Sequence, residues 1–182
     1  VRQALADAGF SVGLAAPTHK ACQVLADACG VSKDETATFA SLLALRDKKV
    51  GDRVEFVRDW HRKPRIDEND IWLCDEASML EPQMLEMIQQ EADLWDRFIF
   101  IGDPAQLPPV TYGKVSPALR LTPRFELKRV MRHDGAVLDA ATAIRQTAGN
   151  TWRTRFHQSV IGDGSAIYTY DDKRKWQHAI LD

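Results

Sequence analysis

Cysteine is scarce in this chain: three in 182 residues. Cys22, Cys29 and Cys74 cannot all pair, and their spacing matches no metal-binding pattern, which excludes a disulfide framework and a cysteine-built zinc site. A reduced compartment follows, and the cytoplasm is the expected location. No apolar run approaches the ~20 residues of a membrane span, so no membrane partner is expected. Charge of one sign is not in excess. With 24 Lys and Arg against 26 Asp and Glu, the net charge is −2, so any nucleic-acid surface must be a local patch. The string Gly-x-x-x-x-Gly-Lys-Ser/Thr occurs nowhere; Gly113-Lys114 is followed by Val115 and lacks the upstream glycine. The residues therefore contain no loop built to cradle a nucleotide's phosphates. Internal repeats and low-complexity tracts are absent too.

What is present suits a globular protein. Apolar residues make up 45% and charged residues 27% of the chain, which is ordinary for a domain with a sizeable core. Two apolar runs end in acids. The first is Ile71-Trp72-Leu73-Cys74 followed by Asp75-Glu76-Ala77-Ser78-Met79-Leu80; the second is Phe98-Ile99-Phe100-Ile101 followed by Gly102-Asp103-Pro104-Ala105-Gln106-Leu107-Pro108-Pro109-Val110. Each run reads as a buried parallel strand that delivers a carboxylate to the sheet's carboxyl edge, where open α/β sheets bind ligands. Two such strands suggest a nucleotide-phosphate site, with Asp75 facing a metal and Gln106 nearby.

The remaining pattern is α/β. Residues 1 to 8 read as the end of a helix stopped by Gly9, and Phe10 to Ala16 as a strand. Thr18 caps a helix running to about Cys29, with Gly30 as its stop. Thr36 to Leu45 reads as a short helix carrying Phe39, Leu42 and Leu43. Lys48 to Arg65 breaks the pattern, and the Gly51-Asp52 turn signal predicts a small β-hairpin arm. A helix is expected from about Glu81 to Trp95, with Ser78 and Glu81 at capping-box spacing. Leu119 to Leu127 reads as a loop plus a short strand. Gly135 to Thr147 reads as an amphipathic helix with Val137, Leu138, Ala141 and Ile144 inward. Gly149 to Gly164 is linker-like, Ala166 to Tyr170 a strand and Lys173 to Leu181 a helix. The chain opens on Val1 and closes on Asp182 inside elements, and is expected to be a fragment of a longer protein.

Asp-Glu-Ala-Ser-Met-Leu resembles motif II, the Walker B element, of superfamily 1 DNA helicases. Gly102 to Val110 resembles their motif III, and Ala16-Pro17-Thr18-His19-Lys20-Ala21 their motif Ia. The combination is closest to the RecD-like and Dda-like branch and covers roughly residues 1 to 147. The resemblance implies a RecA-like P-loop NTPase fold with a central parallel sheet, truncated at both ends. Residues 1–147 would form the first motor domain without its P-loop, with a small inserted arm around 46–66. Residues 148–182 would be a linker and the start of a second RecA-like domain. The missing Walker A loop belongs before Val1, and motifs V and VI beyond Asp182.

The resemblance also implies roles. Asp75 holds Mg²⁺ and Glu76 is the catalytic base for ATP hydrolysis. Gln106 senses the γ-phosphate; a neutral amide can donate to a phosphate oxygen and accept from the lytic water. Arg132, in Leu127-Lys128-Arg129-Val130-Met131-Arg132-His133, resembles the motif IV arginine placed against the γ-phosphate, with Arg129 its local competitor. Pro17, Thr18, His19 and Lys20 contact single-stranded DNA, as does Thr38 in a weaker motif Ib. The implied function is ATP-dependent translocation on single-stranded DNA with duplex unwinding, in a branch associated with 5′-to-3′ movement. The protein would act as a monomer or within a replication or recombination complex. The fragment alone is expected to be inactive. The rival reading is a non-catalytic DNA-binding or scaffold subunit with a degenerate RecA-like fold; intact Asp75, Glu76, Gln106 and Arg132 argue against it.

Overall fold

Helix α1 (Arg2–Asp7) leads into β1 (Val12–Ala16), whose last three residues, Leu14, Ala15 and Ala16, are buried. The computed structural model describes residues 1–51, 53–91, 97–110, 112–127, 135–146, 159–160 and 166–167. Helix α2 (His19–Cys29) follows β1. Thr18 caps it by accepting the Ala21 N–H, and Gly30 ends it in the left-handed conformation. Cys22 and Ala26 form its buried face, while Cys29 is half-buried.

Thr36 to Leu45 departs from the expected single helix. Thr36–Thr38 is strand β2, and only Phe39–Leu42 (α3) is helical, with Thr38 as its cap. The β-branched threonines flank Ala37, and all three pair parallel to β1, Leu14 to Thr36, Ala15 to Ala37 and Ala16 to Thr38. Fully buried residues of a parallel strand carry no alternation to separate them from a helix. The hairpin comes next: β3 (Leu45–Val50) pairs antiparallel with β4 (Arg53–Arg58) across Gly51.

Strand β5 (Ile71–Cys74) pairs parallel to β1, and β6 (Phe98–Phe100) parallel to β5. The sheet order is β2-β1-β5-β6, so β6 lies at an edge. Trp72 is fully buried, and its indole Nε1–H donates to the Ile66 carbonyl at 2.8 Å. Its register partner on β1 is Gly13. A Cβ at Gly13 would sit 2.6 Å from the Trp72 ring, so the indole and a side chain at 13 cannot both fit. Helix α4 (Pro82–Glu91) covers the sheet with Met84, Leu85 and Ile88.

The expected capping box at its start does not form. Ser78 lies inside a 3₁₀ turn, Ala77–Met79, and its buried hydroxyl has no hydrogen-bond partner among the described residues. No strand appears among residues 119–127; Pro117–Arg120 is a 3₁₀ turn and the rest is irregular.

The chain divides into two compact units, Val1–Arg124 and Phe125–Asp182. The second contains α5 (Gly135–Gln146) and a two-stranded ribbon of β7 (Ser159–Val160) and β8 (Ala166–Ile167). Among the described side chains of α5, Ala143 is buried and Leu138 half-buried; Ala141 and Ile144, expected inward, are exposed, and the side chain of Val137 lies outside the described ones. Arg129, Arg132, most of the linker and the expected Lys173–Leu181 helix lie outside the described residues. Among the described residues no helix is long and apolar enough to cross a membrane.

Candidate functional site

Register determines which residues share the sheet's carboxyl edge. Ala16 pairs with Thr38, Ala15 with Cys74 and Cys74 with Phe100. Thr18 is therefore two residues past the end of β1, Asp75 one past β5 and Gly102 two past β6. Three strand spacings, about 14 Å in all, separate the β2 column from the β6 column. Thr38 ends β2, and Pro17, Thr18, His19, Lys20, Asp75, Glu76 and the loop with Gln106 follow strand ends along the same edge of one sheet.

Asp75 is tied to the sheet by its N–H, which donates to the Ala15 carbonyl at 2.8 Å. Its carboxylate Oδ1 accepts the Glu76 N–H at 2.9 Å, which leaves Oδ2 without an intramolecular bond among the described residues. Glu76 then takes a left-handed backbone, φ 52° and ψ 36°. A non-glycine residue there costs roughly 1–2 kcal/mol. Such strain persists only where the surroundings enforce it, and functional sites are where it gathers. The turn breaks the strand's alternation, so Glu76 is not obliged to face opposite to Asp75. Both side chains are half-buried.

The cleft above them, about 300 Å³, is lined by Thr18, Lys20, Ala21, Val24, Leu25, Asp75 and Glu76. A second cavity, about 510 Å³, is lined by His19, Cys22, Lys33, Asp34, Thr36, Thr38 and Arg65. The candidate strand-binding residues are thus divided. Thr18 and Lys20 share a cleft with the acids, whereas His19 and Thr38 face the other cavity. Arg65 there donates to the Thr36 and Asp34 carbonyls at 2.9 and 3.0 Å and to Glu68 at 2.7 Å. No sequence signal pointed to Lys33, because only the parallel β1–β2 pairing brings it beside His19. The Thr38 hydroxyl is engaged with Ser41, accepting its N–H at 3.0 Å. Burial pushes the thiols of Cys22 and Cys74 up, so neither is a thiolate at neutral pH.

Gln106 is exposed in a turn that Asp103 organises. The Asp103 carboxylate accepts the Ala105 N–H at 2.9 Å, and its carbonyl accepts the Gln106 N–H at 3.0 Å. Pro109 anchors the loop in the core, while Leu107 and Val110 face solvent. Arg132 lies outside the described residues.

A family model described as AAA domain matches residues 1–164. The chain belongs to the AAA domain family. This agrees with the parallel sheet and with the RecA-like P-loop class expected from the motifs. A curated relative, the ATP-dependent DNA helicase dda of Enterobacteria phage T4, is 28% identical over 169 residues, 90% of this chain. The chain spans about a third of that relative, 36% of its length. The resemblance to superfamily 1 helicases is thereby borne out. Among solved structures, Bacteroides Pif1 bound to ssDNA is similar at 22% identity and a TM-score of 0.38, over 60% of this AAA chain and 26% of that one. Bacteroides sp Pif1 in complex with ADP-AlF4 is similar at 22% identity and a TM-score of 0.40, with the same coverage of both chains.

Proposed function

We propose that this chain is part of an ATP-dependent DNA helicase that couples ATP hydrolysis to movement on single-stranded DNA and duplex unwinding, with 5′-to-3′ as the expected direction. The observation that carries the reading is the shared carboxyl edge: the acid pair, the Gln106 loop and the start of α2 follow neighbouring parallel strands. Family membership and the T4 relative's name support it. We read residues 1–147 as the first motor domain with the hairpin as an inserted arm, and 148–182 as a linker and the start of a second. The protein would work in the cytoplasm, as a monomer or in a replication or recombination complex.

The acids fit Mg²⁺. That ion takes one or two carboxylates and keeps several waters, and among the described residues no group of three or more His, Cys, Asp or Glu could hold a metal instead. Asp75 would hold it, and the ion would neutralise charge on the phosphate oxygens of ATP. Glu76 would take the proton of the attacking water through its carboxylate. Gln106 would offer its amide N–H to the γ-phosphate, and Arg132 its guanidinium. Thr18 keeps a hydroxyl proton to donate to a DNA phosphate while its oxygen caps α2, and Pro17, His19, Lys20 and Thr38 would line the strand's path.

The test is a longer protein that joins this chain to a phosphate loop. Glu76→Gln should keep ATP binding and abolish DNA-stimulated turnover. A near-wild-type kcat would overturn the assignment.

A further inference from the structure

We propose that the exposed indole of Trp60 is a stacking platform for an unpaired base of single-stranded nucleic acid. The inference rests on the reading of this chain as a strand-binding protein and adds a contact outside its motifs.

Trp60 follows β4 at the foot of the hairpin and is 86% exposed. Trp72, by contrast, is fully buried with its N–H bonded. The exposed Trp60 ring has one anchored neighbour. The Arg58 guanidinium lies 5.8 Å from its centroid. That guanidinium is itself anchored, donating to the Leu43 carbonyl at 3.3 Å and to the two Glu91 oxygens at 2.9 and 3.3 Å. The backbone beneath is fixed as well: Asp59 N–H donates to the Ala44 carbonyl at 2.8 Å, and Arg62 N–H to the Asp59 carbonyl at 3.0 Å. A ring with an anchored cation beside it and the rest open to solvent offers a π-face on which a planar base can stack.

Charge selects the ligand. Residues 58–65 hold four Arg and Lys and a single acid, in a chain whose net charge is −2. Arg58, Arg62 and Arg65 are each paired with a carboxylate, Glu91 at 2.9 Å, Asp59 at 3.4 Å and Glu68 at 2.7 Å, while Lys63 has no ion-pair partner among the described residues. A stacked base brings phosphates on both sides, for which Lys63 is the available cation; base–aromatic stacking combined with positive charge is how single strands are held without sequence preference. The place also fits. Arg65, five residues on, lines the cavity with His19 and Thr38, so chain length alone keeps Trp60 within about 18 Å of it.

The experiment is fluorescence anisotropy of a labelled oligo-dT with the 182-residue chain, at several salt concentrations. Trp60→Ala should weaken binding by about 5- to 150-fold, the loss of one stacked base. Trp60→Phe should retain most of the affinity. Lys63→Gln should lower the salt slope by roughly 0.7. Circular dichroism should show all three variants folded, because these side chains project from the surface. Unchanged affinity in Trp60→Ala, or equal losses in Trp60→Ala and Trp60→Phe, overturns the platform. Lost self-association with unchanged DNA affinity would assign the ring to a second copy of the chain and also overturns it. If Lys20→Ala weakens binding and Trp60→Ala does not, only this inference falls. If the folded wild-type chain binds no single strand, the strand-binding reading falls and takes this one with it.

Discussion

The backbone N–H of Ala77 donates to the Ile101 carbonyl at 2.8 Å, which ties the turn carrying Glu76 to the loop carrying Gln106. The next residue, Gly102, makes that junction possible. A Cβ there would lie 2.8 Å from the Ser78 nitrogen and 3.1 Å from Leu119 Cδ2. Backbone cannot yield as a flexible side chain can, so Gly102→Ala should cost about 1–3 kcal/mol through overpacking. A fall in the denaturant midpoint with an unchanged slope is the expected result. An unaltered midpoint would mean that the two segments slide freely.

Glu76 holds strain that glycine would not feel. Glu76→Gly should stabilise the chain by up to about 1 kcal/mol, as a residue with no Cβ relieves the left-handed backbone, offset in part by the greater freedom of the unfolded chain. Glu76→Gln keeps the strain and should leave the thermal midpoint near wild type. In a longer, hydrolysing protein both variants should be inactive. A Glu76→Gly variant less stable than Glu76→Gln would show that the side chain's contacts outweigh the strain.

The β1–α2 unit was legible because its signals are local: Thr18 caps, Gly30 stops and an apolar run precedes them. Strands β5 and β6 were legible for the same reason, and with them Asp75 and Glu76. Other features depend on partners distant in sequence. Thr36–Thr38 became a strand through pairing with β1, while Phe39, Leu42 and Leu43 alone suggested a helix. Ser78 had the spacing of a cap, but the left-handed turn at Glu76 winds it into a 3₁₀ turn packed against Gly102. The cavity that joins His19, Lys33 and Arg65 exists only once three separate segments are brought together.

Acid should act through a latch at the other end of the sheet. Asp70 Oδ2 accepts the Ser11 hydroxyl at 2.6 Å and the Ser11 N–H at 2.7 Å. The hydroxyl bond first, then the backbone bond, hold its carboxyl below the usual 3.8. A depressed folded-state pKa contributes stability above the unfolded value and loses it as pH falls through the folded one. The thermal midpoint of wild type should therefore exceed that of Asp70→Asn by a constant margin from pH 7 to 5, and the margin should shrink below about pH 3.8. A margin independent of pH would remove the latch from the acid response.

The 182 residues alone should hydrolyse no ATP, with or without DNA, because they carry no Gly-x-x-x-x-Gly-Lys-Ser/Thr loop to hold the β-phosphate. DNA-stimulated phosphate release from a contaminant-free sample would sink this expectation.

Lys20 and Gln106 should separate strand contact from coupling. Lys20 opens α2 beside the acids, so its ammonium has two possible anions, a DNA phosphate or the γ-phosphate. The two make different predictions. A lysine that neutralises one strand phosphate contributes roughly 0.7 to the salt slope of single-strand binding, and Lys20→Ala should remove that amount and weaken affinity without nucleotide present. A lysine serving the nucleotide would leave the slope untouched and weaken ATP binding in a longer protein. Gln106 is exposed on a turn organised by Asp103, beyond the edge strand β6. Gln106→Ala should keep nucleotide-free DNA affinity and its salt slope, while DNA no longer stimulates hydrolysis. Titrating oligo-dT against salt for both variants, with ATPase assays in the longer protein, decides between them. An unchanged slope in Lys20→Ala would move Lys20 to the nucleotide, and intact DNA stimulation in Gln106→Ala would remove Gln106 from coupling.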